Sequence, residues 1–261
     1  MIKILIFLLL LTLIIFFLCY YKNIYYQNKE LFKNTEYTAV IIEPREHKAL
    51  HFVLENFVQN LSNSWNIIIF HGNKNINYIN NIIKSSKVLT QNLNRIKLIN
   101  LNVDNLTIKE YNNLLISRDF YKNIPTEIFL IFQTDSIICE SNKSLINNYL
   151  SYDYVGAPWK DKSVGNGGLS LRKKSKMLEI INNCPYSNEN EDIYFSRACP
   201  STKINIPTFD IAKHFSVETV YDDLSFGVHK PWRYIKKEDL KNKNNFCKGL
   251  NTLIELNYIK K

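Results

Sequence analysis

The first residue that could do chemistry is Asp135, an isolated carboxylate between two apolar stretches of the chain. The apolar run before it and Ser136, Ile137 and Ile138 after it predict a buried position. A buried charge is costly unless it is paired or bound to a metal, and Mg²⁺ or Mn²⁺ often takes one or two carboxylates together with substrate phosphates. Asp135 is therefore a candidate metal ligand. The alternative is an aspartate that caps a helix after a strand, and the spacing favours neither.

A second candidate feature is a glycine-rich turn, Gly165, Asn166, Gly167 and Gly168, which holds three of the chain's seven glycines. Glycine permits positive φ angles and lets a ligand approach the backbone closely. No Gly-Lys-Ser/Thr sequence follows, so the turn is not a P-loop. We therefore predict a turn beside a ligand, with a purely structural tight turn as the alternative.

Three carboxylates, Glu189, Glu191 and Asp192, come directly before apolar residues where a helix is expected to begin. Carboxylates near a helix N-terminus are favoured by the helix dipole, so simple capping is the interpretation that the pattern alone favours. The functional alternative is that one of them acts as a general base.

His229 lies in a segment, Phe226–Trp232, that combines Gly227, Lys230 and Pro231. Imidazole binds first-row divalent metals, and a neighbouring lysine can contact phosphate oxygens. His229 is therefore a second candidate metal ligand and Lys230 a candidate phosphate contact. A structural histidine is the alternative.

The first half of the chain, which positions Asp135, alternates between apolar runs and amphipathic helical patterns. Continuously apolar strands predict an α/β fold with a mostly parallel sheet that is covered by helices on both faces. In such sheets ligands bind beyond the carboxyl ends of the strands, and Asp135 follows one of them. The predicted strands are Thr38–Ile42, Trp65–Phe70, Ile96–Leu101 and Glu127–Phe132, and the predicted helices include one with Leu50, Val53, Leu54, Phe57 and Leu61 on one face and one over Ile108–Phe120.

In the second half the apolar pieces are short and are broken by Gly, Pro and aromatic residues, as in Tyr152–Trp159 and Val164–Gly168. We expect this half to build the other side of a ligand-binding cleft. A chain of 261 residues is long enough for one such domain and too short for two.

The amino terminus is apolar from Ile4 to Tyr21 except for Thr12. The length of this run is near the lower limit for a membrane-spanning helix. No small-residue cleavage site follows, so an uncleaved anchor is favoured over a cleaved signal peptide. Lysines follow the span, so the positive-inside rule leaves its orientation open. The predicted organisation is a transmembrane signal-anchor (1–22), a stalk (23–36), an α/β domain (37–235) and a basic C-terminal extension (236–261).

The formal net charge of +9 would suit a nucleic-acid partner, but the lysines are scattered, so we expect a solvated basic surface and no nucleic-acid binding. The five cysteines lack the C-x-x-C spacing of a metal site, and Cys19 lies in the apolar leader. At most two disulfides can form, and a core of this size requires none.

The order of these segments resembles the GT-A class of nucleotide-sugar glycosyltransferases and, more closely, a glycosyltransferase-like family described as a domain of unknown function. The resemblance covers about Tyr37–Tyr234 and implies a GT-A-like (Rossmann-like) fold with a nucleotide-binding first half and an acceptor-binding second half. The blocks that carry it are VIIEPREH, EYNNLLIS, FLIFQTDSIIC, YDYVGAPW, VGNGGLSLR, NEDIYFS and GVHKPW.

The resemblance also implies a metal site. Asp135 matches the last acidic position of the GT-A metal motif, and His229 matches the histidine that often completes the site, so the pair would bind Mn²⁺ or Mg²⁺. The usual Asp-x-Asp is here Gln133-Thr134-Asp135, with a neutral amide where a second carboxylate is common.

Further roles follow from the same resemblance. Asp192, with Glu191 before it, matches the pair that supplies the base in inverting members. The EYNNLLIS block resembles the helix before the metal motif, where its role is largely structural. The residues that would contact the nucleotide-sugar donor are Glu43, Arg45, Gly167, Gly168 and Lys230.

We therefore expect a single-pass membrane enzyme that moves a sugar from a nucleoside diphosphate sugar to a hydroxyl of a glycan or protein acceptor, with inversion. Type II topology with a luminal catalytic domain is expected, and the sequons at Asn60, Asn105 and Asn142 agree with it. Because Gln133 weakens the metal motif, a catalytically silent carbohydrate-binding or scaffold protein with the same fold is the alternative.

Overall fold

The computed structural model describes residues 10–19 and 35–258. The predicted signal-anchor (1–22) and stalk (23–36) therefore lie mostly outside the described residues, although 10–19 form an exposed helix, α1. Within the described ranges, no helix is both long enough and apolar enough to cross a membrane. The other α-helices are α2 (Leu50–Asn60), α3 (Ile76–Ser85), α4 (Lys87–Gln91), α5 (Ile108–Leu115), α6 (Arg118–Lys122), α7 (Lys174–Asn183), α8 (Glu191–Arg197), α9 (Phe209–Ala212), α10 (Lys237–Phe246) and α11 (Leu250–Asn257).

Strands alternate with these helices and form two sheets. The strands are β1 (Tyr37–Ile42), β2 (Trp65–His71), β3 (Ile96–Asn100), β4 (Ile128–Phe132), β5 (Ser136–Ile138), β6 (Tyr154–Val155), β7 (Leu169–Lys173), β8 (Ser216–Val217) and β9 (Gly227–His229). The main sheet has the order β3-β2-β1-β4-β7-β6. β1 to β4 run parallel, and β7 is antiparallel to both of its neighbours. The prediction of a mostly parallel α/β sheet is thus confirmed.

The apolar strands are buried because helices cover both faces of the sheet. Ala39 and Ile41 of β1 face one core, which includes residues of α2, α3, α4 and α11. Val40 and Ile42 face the other core, which includes residues of α5, α6, α7 and α8. This alternation along one strand explains why β1 is apolar without interruption.

The helix predicted over Ile108–Phe120 is two helices. Thr107 and Glu110 form a capping box at the start of α5. α5 ends at Leu115, and Ser117 then starts α6 because its side chain accepts a hydrogen bond from the Phe120 N–H. The serine cap, which a continuous apolar pattern conceals, breaks the helix.

The small second sheet has the order β5-β9-β8 and lies beyond the end of β4. β5 pairs antiparallel with β9, so that Ser136 lies opposite His229. The Lys230 N–H also donates a hydrogen bond of 2.8 Å to the Asp135 carbonyl. This register brings Asp135 beside His229, although the two are far apart in sequence.

The segment predicted as a basic C-terminal extension (236–261) packs on the domain through α10 and α11. Leu250 and Leu253 are fully buried, and Cys247 forms a disulfide with Cys139. The Asn257 side chain donates a hydrogen bond of 3.0 Å to the carbonyl of Thr134, in the metal motif. A second disulfide joins Cys184 to Cys199. Two disulfides were the predicted upper limit, and both are formed.

Candidate active site

A cavity of about 400 Å³ opens at the carboxyl ends of β1 and β4. These two strands are neighbours, and the strand order reverses between them, which is where α/β sheets bind ligands. The structure brings nine predicted site residues into the wall of this cavity: Glu43, Arg45, Asp135, Gly167, Gly168, Glu191, Asp192, His229 and Lys230. Glu189, the third carboxylate considered as a base, does not line it and accepts hydrogen bonds from Ser187 instead.

Asp135 and His229 lie side by side in the wall of the cavity. Asp135 Oδ1 and His229 Nε2 are 3.2 Å apart. Both atoms are buried, and they face each other at ion-pair distance without the alignment of a hydrogen bond and without another partner among the described residues. Burial alone would raise the pKa of Asp135, but His229 and Lys230 outweigh it and lower that pKa to about 2. Burial would likewise lower the pKa of His229, but the Asp135 and Glu218 carboxylates raise it. Asp135 is thus a carboxylate aimed at an imidazole nitrogen.

Asn166 determines which nitrogen of His229 carries a proton. Asn166 Oδ1 accepts a hydrogen bond of 3.1 Å from the Gly168 N–H, which identifies this atom as the amide oxygen. The same oxygen lies 2.8 Å from His229 Nδ1, so Nδ1 is the donor. Nε2 is therefore the nitrogen that faces Asp135 and that can give a lone pair to a metal.

Gly168 is required by the position of the imidazole. A Cβ atom at this residue would lie 2.1 Å from His229 Nε2, a distance at which atoms overlap. The glycine-rich turn therefore makes room for the candidate metal ligand. The close contact is with a side chain of the protein, so the approach of a ligand to this turn stays a prediction, and Gly165, Gly167 and Gly168 do not have positive φ angles.

The residues of the site fit a divalent cation. No group of three or more His, Cys, Asp or Glu residues suited to a metal occurs in the described part of the chain. Asp135 Oδ1 and His229 Nε2 nevertheless face each other as two buried atoms that can each give an electron pair to a metal and that make no hydrogen bond. Such a pair suits a cation whose remaining ligands are water and phosphate oxygens, as is usual for Mg²⁺.

Gln133 does not take the place of a metal-binding carboxylate. Its side-chain amide donates a hydrogen bond of 3.2 Å to the Tyr111 hydroxyl. Tyr111 and Asn112 belong to the EYNNLLIS block, which was expected to be structural, and both line the cavity. The Glu191 N–H donates to Asn112 Oδ1 at 3.3 Å, so this helix also positions the start of α8.

Two cations also line the cavity, each held by a buried carboxylate. Arg45 donates through Nε and Nη2 to the two Glu43 oxygens, both at 2.8 Å, and these bonds raise the pKa of Arg45. Lys230 Nζ lies 3.4 Å from Glu218 Oε1. Lys230 has φ 34° and ψ 45°, a left-handed conformation that is strained for a residue with a side chain. The pair Arg45 and Lys230 provides positive charge for an anionic ligand.

The predicted acidic pair at the start of α8 divides into two environments. Glu191 is buried, and its oxygens accept hydrogen bonds of 2.6 and 3.1 Å from Arg172. Burial would lower the pKa of Arg172, but the Glu191 carboxylate outweighs it and raises that pKa. Asp192 is only partly buried, and its oxygens accept from the N–H groups of Gly167 at 3.3 Å and Ile193 at 2.8 Å. Asp192 is thus the member of the pair whose carboxylate remains available to a ligand.

Three residues that matter for this geometry were not predicted: Asn166 as a partner of His229, Arg172 and Glu218. Asn166 was noted only as part of the glycine turn. Arg172 lies within the buried strand β7, and Glu218 directly follows the buried strand β8. A charge in or beside a buried strand signals that a partner exists, but it does not identify that partner.

Comparisons with known proteins add a family and a fold. The model of a family described as proteins of unknown function (DUF5672) matches residues 95–229, a range that contains Asp135, Asp192 and His229. No curated protein matches the chain.

Among solved structures, the glycosyltransferase GlyE of Streptococcus pneumoniae TIGR4 is 12% identical, with a TM-score of 0.50, over 87% of this chain and 61% of GlyE. The galactosyltransferase LgtC, in complex with donor and acceptor sugar analogues, is 10% identical, with a TM-score of 0.50, over 86% of this chain and 98% of LgtC. The mannosyltransferase PcManGT from Pyrobaculum calidifontis, in complex with GDP-Man and Mn²⁺, is 10% identical, with a TM-score of 0.47, over 70% of this chain and 60% of PcManGT. Nucleotidyltransferases also match. The likeness to GlyE and LgtC shows that the fold is α/β and like that of GT-A glycosyltransferases.

Proposed function

This chain belongs to the DUF5672 family of proteins of unknown function, and we propose that it is a metal-dependent glycosyltransferase. It transfers a sugar from a nucleoside diphosphate sugar to a hydroxyl group of a glycan or protein acceptor, with inversion at the anomeric carbon. The GT-A-like fold supports a nucleotide-sugar substrate, and the chemistry of the cavity supports the metal and the base.

One observation carries the proposal: Asp135 Oδ1 and His229 Nε2 are buried, unsatisfied and 3.2 Å apart. Buried polar atoms in natural folds are nearly always hydrogen-bonded, and an exception calls for a reason such as a missing ion. These two atoms lie in a cavity whose wall also contains Arg45 and Lys230. This combination suits a cation together with a diphosphate.

Each side chain then has a defined part in the reaction. Asp135 and His229 would hold Mn²⁺ or Mg²⁺, and the bound ion would supply positive charge to neutralise the diphosphate leaving group. Arg45 and Lys230 bind phosphate oxygens, and their partners Glu43 and Glu218 keep them in place.

Asp192 is the base. One of its carboxylate oxygens accepts the proton of the acceptor hydroxyl while the oxygen of that hydroxyl attacks the anomeric carbon and the bond to the diphosphate breaks. The N–H groups of Gly167 and Ile193 orient the carboxylate for this step. Gly167 also leaves room for the Glu191 side chain, because a Cβ at Gly167 would lie 2.4 Å from Glu191 Oε1.

A thermal-shift panel of nucleotides and nucleotide-sugars, with and without Mn²⁺, tests the proposal. A ligand at a hundredfold excess over its Kd stabilises the folded state by about 2.7 kcal/mol, so a true donor gives a clear increase in Tm. We expect stabilisation by one nucleoside diphosphate sugar that depends on Mn²⁺. A protein stabilised by glycans but by no nucleotide would instead be the silent carbohydrate-binding protein that Gln133 suggests.

We also propose that the domain lies on the luminal or extracellular side of a membrane, held by the amino-terminal anchor. The two disulfides support an oxidising compartment, since stable disulfides are rare in the cytosol. In cells with a secretory pathway, a glycosidase-sensitive mass shift would agree with this topology. A domain that carries no glycan and that protease reaches from the cytosolic side would contradict it.

A further inference from the structure

Glu218 is a buried carboxylate outside the predicted metal pair. Only 3% of it is exposed, and it directly follows the buried strand β8. β8 pairs in parallel with β9 so that Val217 lies opposite Val228, and the next residues along the two strands are Glu218 and His229. The strand pairing thus brings a carboxylate next to the candidate metal ligand.

Glu218 contacts the imidazole nitrogen of His229 that faces away from Asp135, and it also contacts Lys230 of the cavity wall. Glu218 Oε1 is 3.4 Å from His229 Nδ1, whereas the nitrogen that faces Asp135 is Nε2. Asn166 Oδ1 accepts from the same Nδ1–H at the shorter distance of 2.8 Å. A carboxylate or carbonyl behind a metal-binding histidine fixes the ring and makes it a better ligand.

The charges around the candidate metal ligands indicate what a carboxylate at Glu218 contributes. The only negative charge in the candidate ligand pair is on Asp135, because Gln133 is neutral and its amide is hydrogen-bonded to Tyr111. A divalent cation held by Asp135 and neutral His229 would therefore keep most of its charge within a buried region. Glu218 adds a second negative charge from behind the imidazole, where its Oε1 lies 3.4 Å from both His229 Nδ1 and Lys230 Nζ.

We infer that Glu218 is a positioning residue of the metal centre, which orients His229 and supplies the negative charge that Gln133 lacks. This rests on the proposed function, because it requires that Asp135 and His229 bind a divalent cation. A purely structural role, in which Glu218 only holds Lys230, is the competing explanation, and the two differ in what a carboxylate at residue 133 can restore.

Titration with Mn²⁺, followed by the EPR signal of the free ion, separates these explanations without any need for the sugar donor. We expect Glu218→Gln, which keeps the shape but removes the charge, to weaken Mn²⁺ binding about tenfold, as is common for partners of metal-bound histidines. In the double variant with Gln133→Asp, the affinity should return to near the wild-type value. Gln133→Asp alone is the control, because a gain of equal size in the wild-type and Glu218→Gln backgrounds would show only an added ligand and would overturn the inference.

The outcomes distinguish this inference from the proposed function. Equal Mn²⁺ affinity of the wild type and Glu218→Gln overturns the inference alone, as does a double variant that stays weak. A wild-type protein that does not bind Mn²⁺ overturns both. If Glu218→Gln does not fold, Gln133→Asp alone decides: we expect little gain in affinity, because the charge is already present, and a tenfold gain would overturn the inference.

Discussion

Two buried pairs of ionisable side chains lie around the same cavity, and they differ in how completely they are satisfied. Arg172 and Glu191, whose side chains are 0% and 6% exposed, are joined through two hydrogen bonds. Asp135 Oδ1 and His229 Nε2 approach to 3.2 Å without a hydrogen bond. A buried polar atom without a partner costs about 1–3 kcal/mol. The saturated pair, Arg172 and Glu191, therefore compensates its own buried charges, and the unsatisfied pair, Asp135 and His229, is where a ligand is expected.

The saturated pair, Arg172 and Glu191, fixes the positions of neighbouring side chains. Arg172 of β7 stacks on the ring of Tyr154, with 4.9 Å between the guanidinium carbon and the ring centroid, and it holds Glu191 at the start of α8. Asp192, the candidate base, is the next residue. A carboxylate bonded to a buried cation and the proposed base are thus neighbours in sequence.

The largest effect is expected from breaking the saturated pair. Arg172→Met leaves Glu191 buried without its partner and should lower the free energy of unfolding by about 3–5 kcal/mol, measured by urea denaturation. Adding Glu191→Leu should recover much of the loss, because the uncompensated charge is then removed. A loss below about 1 kcal/mol, the size expected of an exposed pair, would show that the two residues are not the buried pair described here.

Removal of the disulfide that encloses α8 should cause the next largest loss in the free energy of unfolding. Cys184 and Cys199 are 15 residues apart and enclose Glu191 and Asp192. Replacing both cysteines by serine should cost about 3 kcal/mol, the loop-closure value for this length, in the same urea experiment. Mn²⁺ affinity should be unchanged, since Asp135 and His229 lie outside the loop. A double variant that keeps its full stability but loses Mn²⁺ affinity would contradict both expectations.

Much of the structure around Asp135 and His229 could be predicted from the sequence. Little of the structure around Arg172 and Glu191 could be. The apolar runs predicted β1, β2 and β4 because both faces of these strands are buried, and a lone charge after β4 pointed to Asp135. Arg172 and Glu218 were missed because their partners depend on how distant segments pair, which spacing along the chain does not encode. The Cys139–Cys247 disulfide, which holds the C-terminal helices on the domain, cannot be deduced from cysteine positions for the same reason.

The third prediction distinguishes the two carboxylates of α8 by rate. Once a transferred sugar is identified, Asp192→Asn should keep donor and metal affinity but lower turnover a hundredfold or more, the range for loss of a general base. Glu191→Gln is the matched control, and we expect it to lower stability first. If Glu191→Gln alone removes turnover from folded protein, the base is misassigned by one residue. If neither variant slows transfer, another base or a retaining mechanism operates.

A smaller effect is expected at the imidazole. His229→Ala should weaken Mn²⁺ binding on the order of 10–100-fold, which is about 1.4–2.7 kcal/mol, because water can replace one ligand while Asp135 remains. The measurement is a Mn²⁺ titration by EPR. A variant with normal Mn²⁺ affinity would make His229 a structural residue and remove the distinction between the two pairs.

The central claim, that the unsatisfied pair is a metal site for nucleotide binding, is tested most directly at Asp135. The measurement is the affinity for the best nucleoside diphosphate sugar of the thermal-shift panel, by calorimetry, with and without Mn²⁺. In the wild type we expect binding that requires Mn²⁺. Asp135→Asn keeps the shape of the side chain but removes its charge, so this variant should fold normally and lose the Mn²⁺-dependent binding. Unchanged Mn²⁺-dependent affinity in Asp135→Asn would contradict the account.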